Sequence, residues 1–429
     1  MNSHVNDLKA FLDASPVNFL AVDELRRRLY AAGFSELRAC DAWQLKPGDC
    51  RYVCVNGSAL FAFVVGDAPA CAGVRIIAAH SDSPCFRVKP NCEMLCDGGI
   101  VKLNTEVYGG PILYTWFDRP LSLAGRAVLR GADMLHPAVR TVRFERPMLV
   151  IPHLAIHFNR SVNEGNSLSA QKDMLPVLGR VENEDEARGM LHRLVARQLG
   201  VEASELLDFD LSLYTVEGAA TVGLHDEFIC SGRIDDLSMV HAALVSLLAS
   251  HGSGATRVMA VFDNEETGSG TKQGAASPVL VQILRRICSA LGGGEEDFYR
   301  SVADSFMVSA DNAHGVHPNY TEKYDPTNRP VLGGGPVIKI NARCKYMTDA
   351  DSAAVFASVC ESAGVPVQYF VNHSDVAGGS TLGNILTSQL PLRGVDMGAA
   401  VWGMHSARET ASVADHDMTI RAFTAFYDC

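Results

Sequence analysis

Two things are scarce in this 429-residue chain: long apolar runs and basic charge. No uninterrupted apolar stretch approaches the ~18–20 residues that span a bilayer, so no membrane partner is expected. Lys and Arg number 37 against 49 Asp and Glu, a formal net charge of -12. That balance argues against nucleic acid as a partner, because phosphate recognition usually needs a basic face. It also repels an anionic substrate at long range, so an acidic substrate would need a cation aimed at it locally. The 12 cysteines show no paired C-x-x-C spacing. Cys54, Cys230 and Cys288 lie in apolar patterns and read as core fillers. The first residues, MNSHVNDLKAFLDASP, lack a basic segment followed by an apolar one, so no secretory signal is expected and a reducing cytoplasm is the simplest home.

What is present is the composition of a globular protein, with 47% apolar and 20% charged residues. The length favours two domains. Residues 5–33 read as two helices, the second opened by Ser15-Pro16 and closed by Gly33. RYVCVNGSALFAFVVG reads as a hairpin turning at Asn56-Gly57. VRIIAAH, TRVMAVFD, SFMVSAD, GPVIKIN, PVQYFVN and LPLRGVDMG read as strands. Helical patterns at 236–251, 277–291, 349–363 and 415–427 alternate with them. Such alternation predicts a three-layer αβα sandwich around a mixed, largely parallel sheet. Residues 93–221 differ: short alternating strands punctuated by Gly and Pro, with one helix at about 184–199, predict a β-rich domain inserted into the first. The first domain is then discontinuous, residues 1–92 and 222–429.

Acidic and imidazole side chains recur at strand ends in the order His80, Asp235, Glu265-Glu266, Asp311, His405. In open α/β sheets, ligand sites gather outside the carboxyl ends of strands. Imidazole nitrogen and carboxylate oxygen are the donors that zinc and similar ions accept, and a carboxylate-bridged pair of ions activates water. Taken singly, each residue has an ordinary reading as a cap, a turn or a core polar group; the recurrence makes the case. Asp82, two residues after His80, suits a role orienting that imidazole. Of the pair before the apolar helix, Asp236 is read as the helix cap and Asp235 as the metal ligand able to bridge both ions. Two adjacent glutamates repel unless a cation compensates or one takes a proton. Glu266 is therefore read as a ligand and Glu265 as the group that takes a proton from water. His314 and His317 form an H-x-x-H pair without a nearby acidic third ligand, which favours a supporting or substrate-facing role. Arg408 and Glu409 are read as orienting partners of His405.

The stretches AAHSDSPCFRVKP, GRIDDLSM, FDNEETGSGTKQGAASP, SADNAHGVHPNY, GPVIKIN and GMHSARE, running from residue 78 to 409, resemble the aspartyl aminopeptidases, a family of dinuclear zinc metallopeptidases. The resemblance implies two divalent ions per subunit, zinc by expectation, with manganese and cobalt accepting the same donors. His80, Asp235 and Asp311 would hold one ion, and Asp235, Glu266 and His405 the other, with Glu265 as general acid/base. It implies peptide substrates with an acidic N-terminus and a closed homo-dodecamer built from dimers. The inserted domain would serve dimerisation, and His157 in PHLAIHFNR would reach a neighbour's active site. Lys339 matches the position that pairs with the substrate's acidic side chain and interrupts an apolar run; Tyr346 and His314 are further candidates for that pocket. One departure is local: the family commonly reads Asn-Gln-Arg-Tyr after this strand, and this chain reads Arg343-Cys344-Lys345-Tyr346. A broader dinuclear amidohydrolase, and a non-enzymatic assembly protein with a vestigial site, are the competing readings.

Overall fold

Ile76, Ile77, Ala78 and Ala79 follow one another in the strand Arg75–His80, and Val258 to Phe262 do so in Arg257–Phe262, as in strands covered on both faces. Because successive side chains point to opposite faces, these residues divide between two cores. Ile77, Ala79, Met259 and Val261 pack with residues of the helices Asn2–Ala14, Asn18–Ala31, Ile234–Ala249, Ala350–Ser362 and Val413–Tyr427. Ile76, Ala78, Val258 and Ala260 pack with residues of Val279–Ala290, Glu295–Asp304 and Leu382–Leu386. Helices therefore cover both faces, and the expected three-layer αβα sandwich is what this computed structural model has. It describes residues 2–252, 254–376 and 378–429.

The central sheet runs Ser35–Glu36, Cys50–Val55, Ala59–Val64, Arg257–Phe262, Arg75–His80, Phe306–Ala310, Arg393–Gly398, Val337–Lys339 and Gln368–Phe370. Five of the eight pairings along it are parallel and three antiparallel. The parallel strands Arg257–Phe262, Arg75–His80, Phe306–Ala310 and Arg393–Gly398 are neighbours, so their carboxyl ends open on the same edge of the sheet. A second sheet of five short strands, among them Ala313–His314, Ala400–Trp402 and Glu409–Ser412, belongs to the same unit. That unit comprises the described residues up to Asp82, together with Ala219–Met404 and Glu409–Cys429.

The other unit is Ser83–Gly218 with His405–Arg408. Its antiparallel sheet orders His136–Arg143, Leu121–Asp133, Leu206–Thr215, Cys85–Cys96, Ile100–Tyr108 and Val177–Arg180 over a core that includes Phe86, Trp116 and Leu191. A border at 92/93 would split the strand Cys85–Cys96, parting residues 85–88 from their hairpin partners 105–108; the division falls before that strand instead. Residues 405–408 join this unit through Ile112 N donating to His405 O at 2.9 Å and Ala407 N donating to Thr115 Oγ1 at 2.9 Å.

The hairpin at Asn56-Gly57 forms as expected, both residues lying at positive φ (56° and 69°) as a two-residue turn requires. The single helix expected at 184–199 is two, Glu184–Ala187 and Met190–Leu199, because Gly189 takes φ 63° between them. The helix Glu295–Asp304, which the sequence reading passed over, starts where Asp297 accepts a hydrogen bond from Gly294 N at 3.0 Å. No described helix is long and apolar enough to cross a membrane.

Candidate metal centre

His80, Asp235, Asp236 and Asp311 each place a ligand atom within 4.8 Å of the others, and His80, Glu265 and Glu266 form a second such group. The strand Arg75–His80 ends in a buried imidazole, and Asp311 lies one residue past Phe306–Ala310, held by its N–H donating to Met397 O at 2.9 Å. Glu265 and Glu266 occupy a tight turn after Arg257–Phe262, entered through Asn264 at φ 62°. The topology thus turns three neighbouring strand ends into one polar cluster.

Buried carboxylates hold the main chain of this cluster. Asp82, 2% exposed, accepts from Glu265 N through Oδ1 and from Glu266 N through Oδ2, both at 3.1 Å. Asp236 accepts from His80 N at 3.0 Å, and Glu409 accepts from Asp235 N at 3.0 Å. One expectation changes here. Asp236 does not cap its helix: its carboxylate turns inward, within the first ligand group. Arg408 donates to Glu217 O at 3.1 Å and Gly218 O at 3.0 Å. The contacts of Asp236 and Glu409 are not legible from their neighbours in the chain, because aspartate at a helix start and glutamate after an arginine both have ordinary surface roles.

The imidazoles have their tautomers set locally. Nδ1 of His80 donates to Asp82 O at 3.0 Å, so in the neutral ring Nε2 keeps its lone pair, 3.8 Å from Asp235 Oδ1. His405, in the other unit and at φ 68°, donates from Nδ1 to Gly110 O at 3.1 Å, which in the neutral ring leaves the lone pair on Nε2. Electrostatics follow from crowding. Burial, and then Asp311, Asp82 and Asp235, push the Glu265 carboxyl up to about 8 against the pull of His80. Burial and Asp235 hold Glu266 well above the ordinary carboxylate range, and burial with Asp311 and Asp235 does the same for Asp236. Burial alone would lower His80, but Asp236 and Asp82 outweigh it and raise it well above its ordinary value. These groups retain protons that a divalent ion would displace.

Lys339 is 3% exposed, with its ammonium 3.6 Å from Asp311 Oδ1, 3.2 Å from Asn312 O and 5.5 Å from the centre of the Tyr346 ring. Burial raises Asp311 and Lys339 opposes it; burial would lower Lys339, but Asp311 leads the groups that raise it, so the ammonium stays charged. Tyr346 is buried, whereas Arg343, Cys344 and Lys345 are exposed, so the departure from the family pattern lies in a turn. His314 is exposed and, with His317, belongs to no metal-holding group among the described residues. His157 stands on an exposed turn of the other unit.

With this geometry the comparisons are decisive. The family model described as "Aminopeptidase I zinc metalloprotease (M18)" matches residues 11–427. The chain belongs to that family. It is a metallo-aminopeptidase, and zinc is the metal the family uses. A probable M18 family aminopeptidase 2 of Clostridium novyi (strain NT) is 48% identical over 424 residues, spanning 99% of this chain and 98% of that protein. The structure of the Ape4 and Nbr1 complex contains a chain matched at TM-score 0.95 and 35% identity, over 99% of this chain and 85% of that one. The S. cerevisiae mApe1 dodecamer is matched at TM-score 0.87 and 27% identity, over 100% of this chain and 97% of that one. The donors gathered around His80 fit zinc: an imidazole whose Nε2 is left for a ligand in the neutral ring, clustered carboxylates, and a buried Asp236 Oδ1 with no hydrogen-bond partner among the described residues.

Proposed function

We propose that the chain removes N-terminal Asp, and Glu, from peptides through a dinuclear zinc centre. The observation that carries the specificity is Lys339, a buried ammonium beside Asp311. A buried cation in a chain of net charge -12 suits recognition of an acidic side chain that the surface at large would repel. In this reading His80, Asp235 and Asp311 hold one ion, while Asp235, Glu266 and His405 hold the other. Once bound, the ions supply Lewis acidity and lower the pKa of a water.

The rest is the work of side chains. Glu265 accepts the proton of the attacking water and returns it to the leaving amine. Its tendency to keep a proton, raised by burial, suits the second half of that task. Asp82 fixes the Glu265-Glu266 turn, so proton carrier and ligand keep their spacing. Lys339 takes the substrate's carboxylate, and Tyr346 and His314 help shape the pocket. His157 from a neighbouring copy donates a hydrogen bond to the carbonyl oxygen as it gains charge, a contact whose loss costs roughly 3–4 kcal/mol. Leu154, Ile156 and Phe158 around it are 56%, 48% and 81% exposed, apolar surface suited to burial between subunits. A dodecamer built from dimers through the β-rich unit, working in the cytoplasm, completes the proposal. Measuring kcat/KM on Asp, Glu, Leu and Ala substrates with zinc loading controlled tests it; equal rates on Asp and Leu would remove the acidic specificity.

A further inference from the structure

Asp396 is a fully buried carboxylate of the central sheet that the proposed chemistry leaves unused. It lies on the strand Arg393–Gly398, which runs antiparallel beside Val337–Lys339. Ile338 and Met397 pair across those strands and enter the same core. Lys339 follows the first of them and Asp396 precedes the second, so both leave by the opposite face of the sheet. Burial pushes the Asp396 carboxyl up, and Lys339 leads the groups that oppose it.

Its hydrogen bonds tie down chain that would otherwise hang from the sheet. Oδ2 accepts from the N–H of Met347, the residue after Tyr346, at 2.6 Å, and Oδ1 accepts from Thr381 Oγ1 at 2.5 Å. Asp396 N donates to Thr348 Oγ1 at 2.8 Å. Thr381 stands at the start of the helix Leu382–Leu386, where a threonine hydroxyl ordinarily caps the first turn. Here it makes no cap and turns to Asp396 instead. Gly383 makes room for the carboxylate: a Cβ there would lie 2.5 Å from Oδ2 and 2.6 Å from Oδ1. A carboxylate accepting such bonds holds its donors more firmly than a neutral group would. One buried side chain thus fixes the turn that carries Tyr346, whose ring centre is 5.5 Å from the Lys339 ammonium.

We propose that Asp396 is a positioning residue for the first substrate side chain: by holding Met347 and Thr381 it keeps Tyr346 beside Lys339, and the preference for an acidic N-terminus depends on it although it is itself buried. The proposal rests on the reading of Lys339 as the site for that side chain.

The test is kcat and KM on Asp and Leu p-nitroanilides, with zinc content measured, for wild type, Asp396→Ala, Asp396→Asn and Thr381→Val, each also in a Tyr346→Ala background. Asp396→Ala should raise KM for the Asp substrate at least tenfold with kcat within threefold, and change KM for Leu less than threefold. Asp396→Asn should stay within threefold of wild type. Its Oδ1 still accepts from Met347 N, and the Thr381 hydroxyl can turn to accept from its Nδ2. In the Tyr346→Ala background Asp396→Ala should add less than threefold, as expected of residues that act as a unit. Thr381→Val loses a single bond and should raise KM for Asp at least threefold; it carries the test alone if Asp396→Ala does not fold. An Asp-to-Leu ratio that Asp396→Ala, or Thr381→Val in its place, leaves unchanged overturns the proposal. So do an effect that adds in full to Tyr346→Ala and an Asp396→Asn as impaired as Asp396→Ala. If wild type cleaves Asp and Leu equally, it is the Lys339 reading that fails, and the cycle with Tyr346→Ala still decides whether Asp396 positions that ring.

Discussion

Lys339→Met removes the buried ammonium while keeping most of the side chain's length and volume. Two unit charges 3.6 Å apart, the separation of Lys339 Nζ from Asp311 Oδ1, interact by about 5 kcal/mol at an effective dielectric of about 20. A substrate carboxylate meeting Lys339 at similar range must shed its own hydration, so only part of such an energy survives. A loss of ~2–4 kcal/mol is expected for Asp substrates, a fall of roughly 30- to 700-fold in kcat/KM. Leu substrates should change little by comparison, since they present no charge to that ammonium. The assay is kcat/KM on matched Asp and Leu p-nitroanilides, with zinc content measured on the same samples. The metal measurement is needed because Lys339 also steadies Asp311, a candidate ligand, and a general loss of zinc would depress both substrates together. An Asp-to-Leu ratio that Lys339→Met leaves unchanged, at full zinc occupancy, would refute the reasoning.

Three further outcomes are expected. Glu265→Gln should lower kcat by ~10²–10⁴-fold with zinc retained, whereas Glu266→Gln should lose zinc; metal analysis beside kinetics separates them. Asp236→Leu leaves the buried His80 N–H without its acceptor, which costs about 1–3 kcal/mol and should weaken zinc binding ~10–100-fold in a chelator competition; retention of full affinity would return Asp236 to a purely local role. His241 and His416, 3.0 Å apart and buried between helices, are both held below the ordinary histidine value by burial, with Asp7 bonded to His241 at 3.0 Å. A lowered histidine value means the unfolded chain binds the proton first. The stability this contributes is therefore whole above about pH 6.5 and is lost as pH falls toward the folded-state values. Asp7, itself held low mainly by His241, acts in the same direction at lower pH. Melting temperature should fall between pH 7 and 5, and His416→Gln should flatten that slope by up to ~1.4 kcal/mol per pH unit.

What could be read from the sequence was whatever depends on near neighbours. The strand before His80 and the helix after Asp236 announce themselves through apolar runs, and Gly57 through the turn it permits. The metal cluster was legible because strand ends recur, so chain order substitutes for geometry. Contacts between distant residues were not legible. Nothing local says that Glu409 meets Asp235 across 174 positions, or that Lys339 lies beside Asp311. The helix Glu295–Asp304 escaped notice because only Phe298, Ser301 and Val302 are buried in a polar segment, too few to set a period. The break at Gly189 escaped because a glycine inside a helical pattern is usually tolerated.

The two-sided packing of Arg75–His80 bears on how such an enzyme can change its diet. Ile76 and Ala78 serve one core while Ile77 and Ala79 serve the other. One inserted residue would exchange the two sets and carry His80 out of its cluster. Arg257–Phe262 and Phe306–Ala310 are buried throughout and are equally intolerant. Residues can be gained or lost cheaply beyond the strand ends, in segments such as 341–346 and 371–376. New peptide preferences should therefore arise by remodelling those loops around a fixed set of ligands.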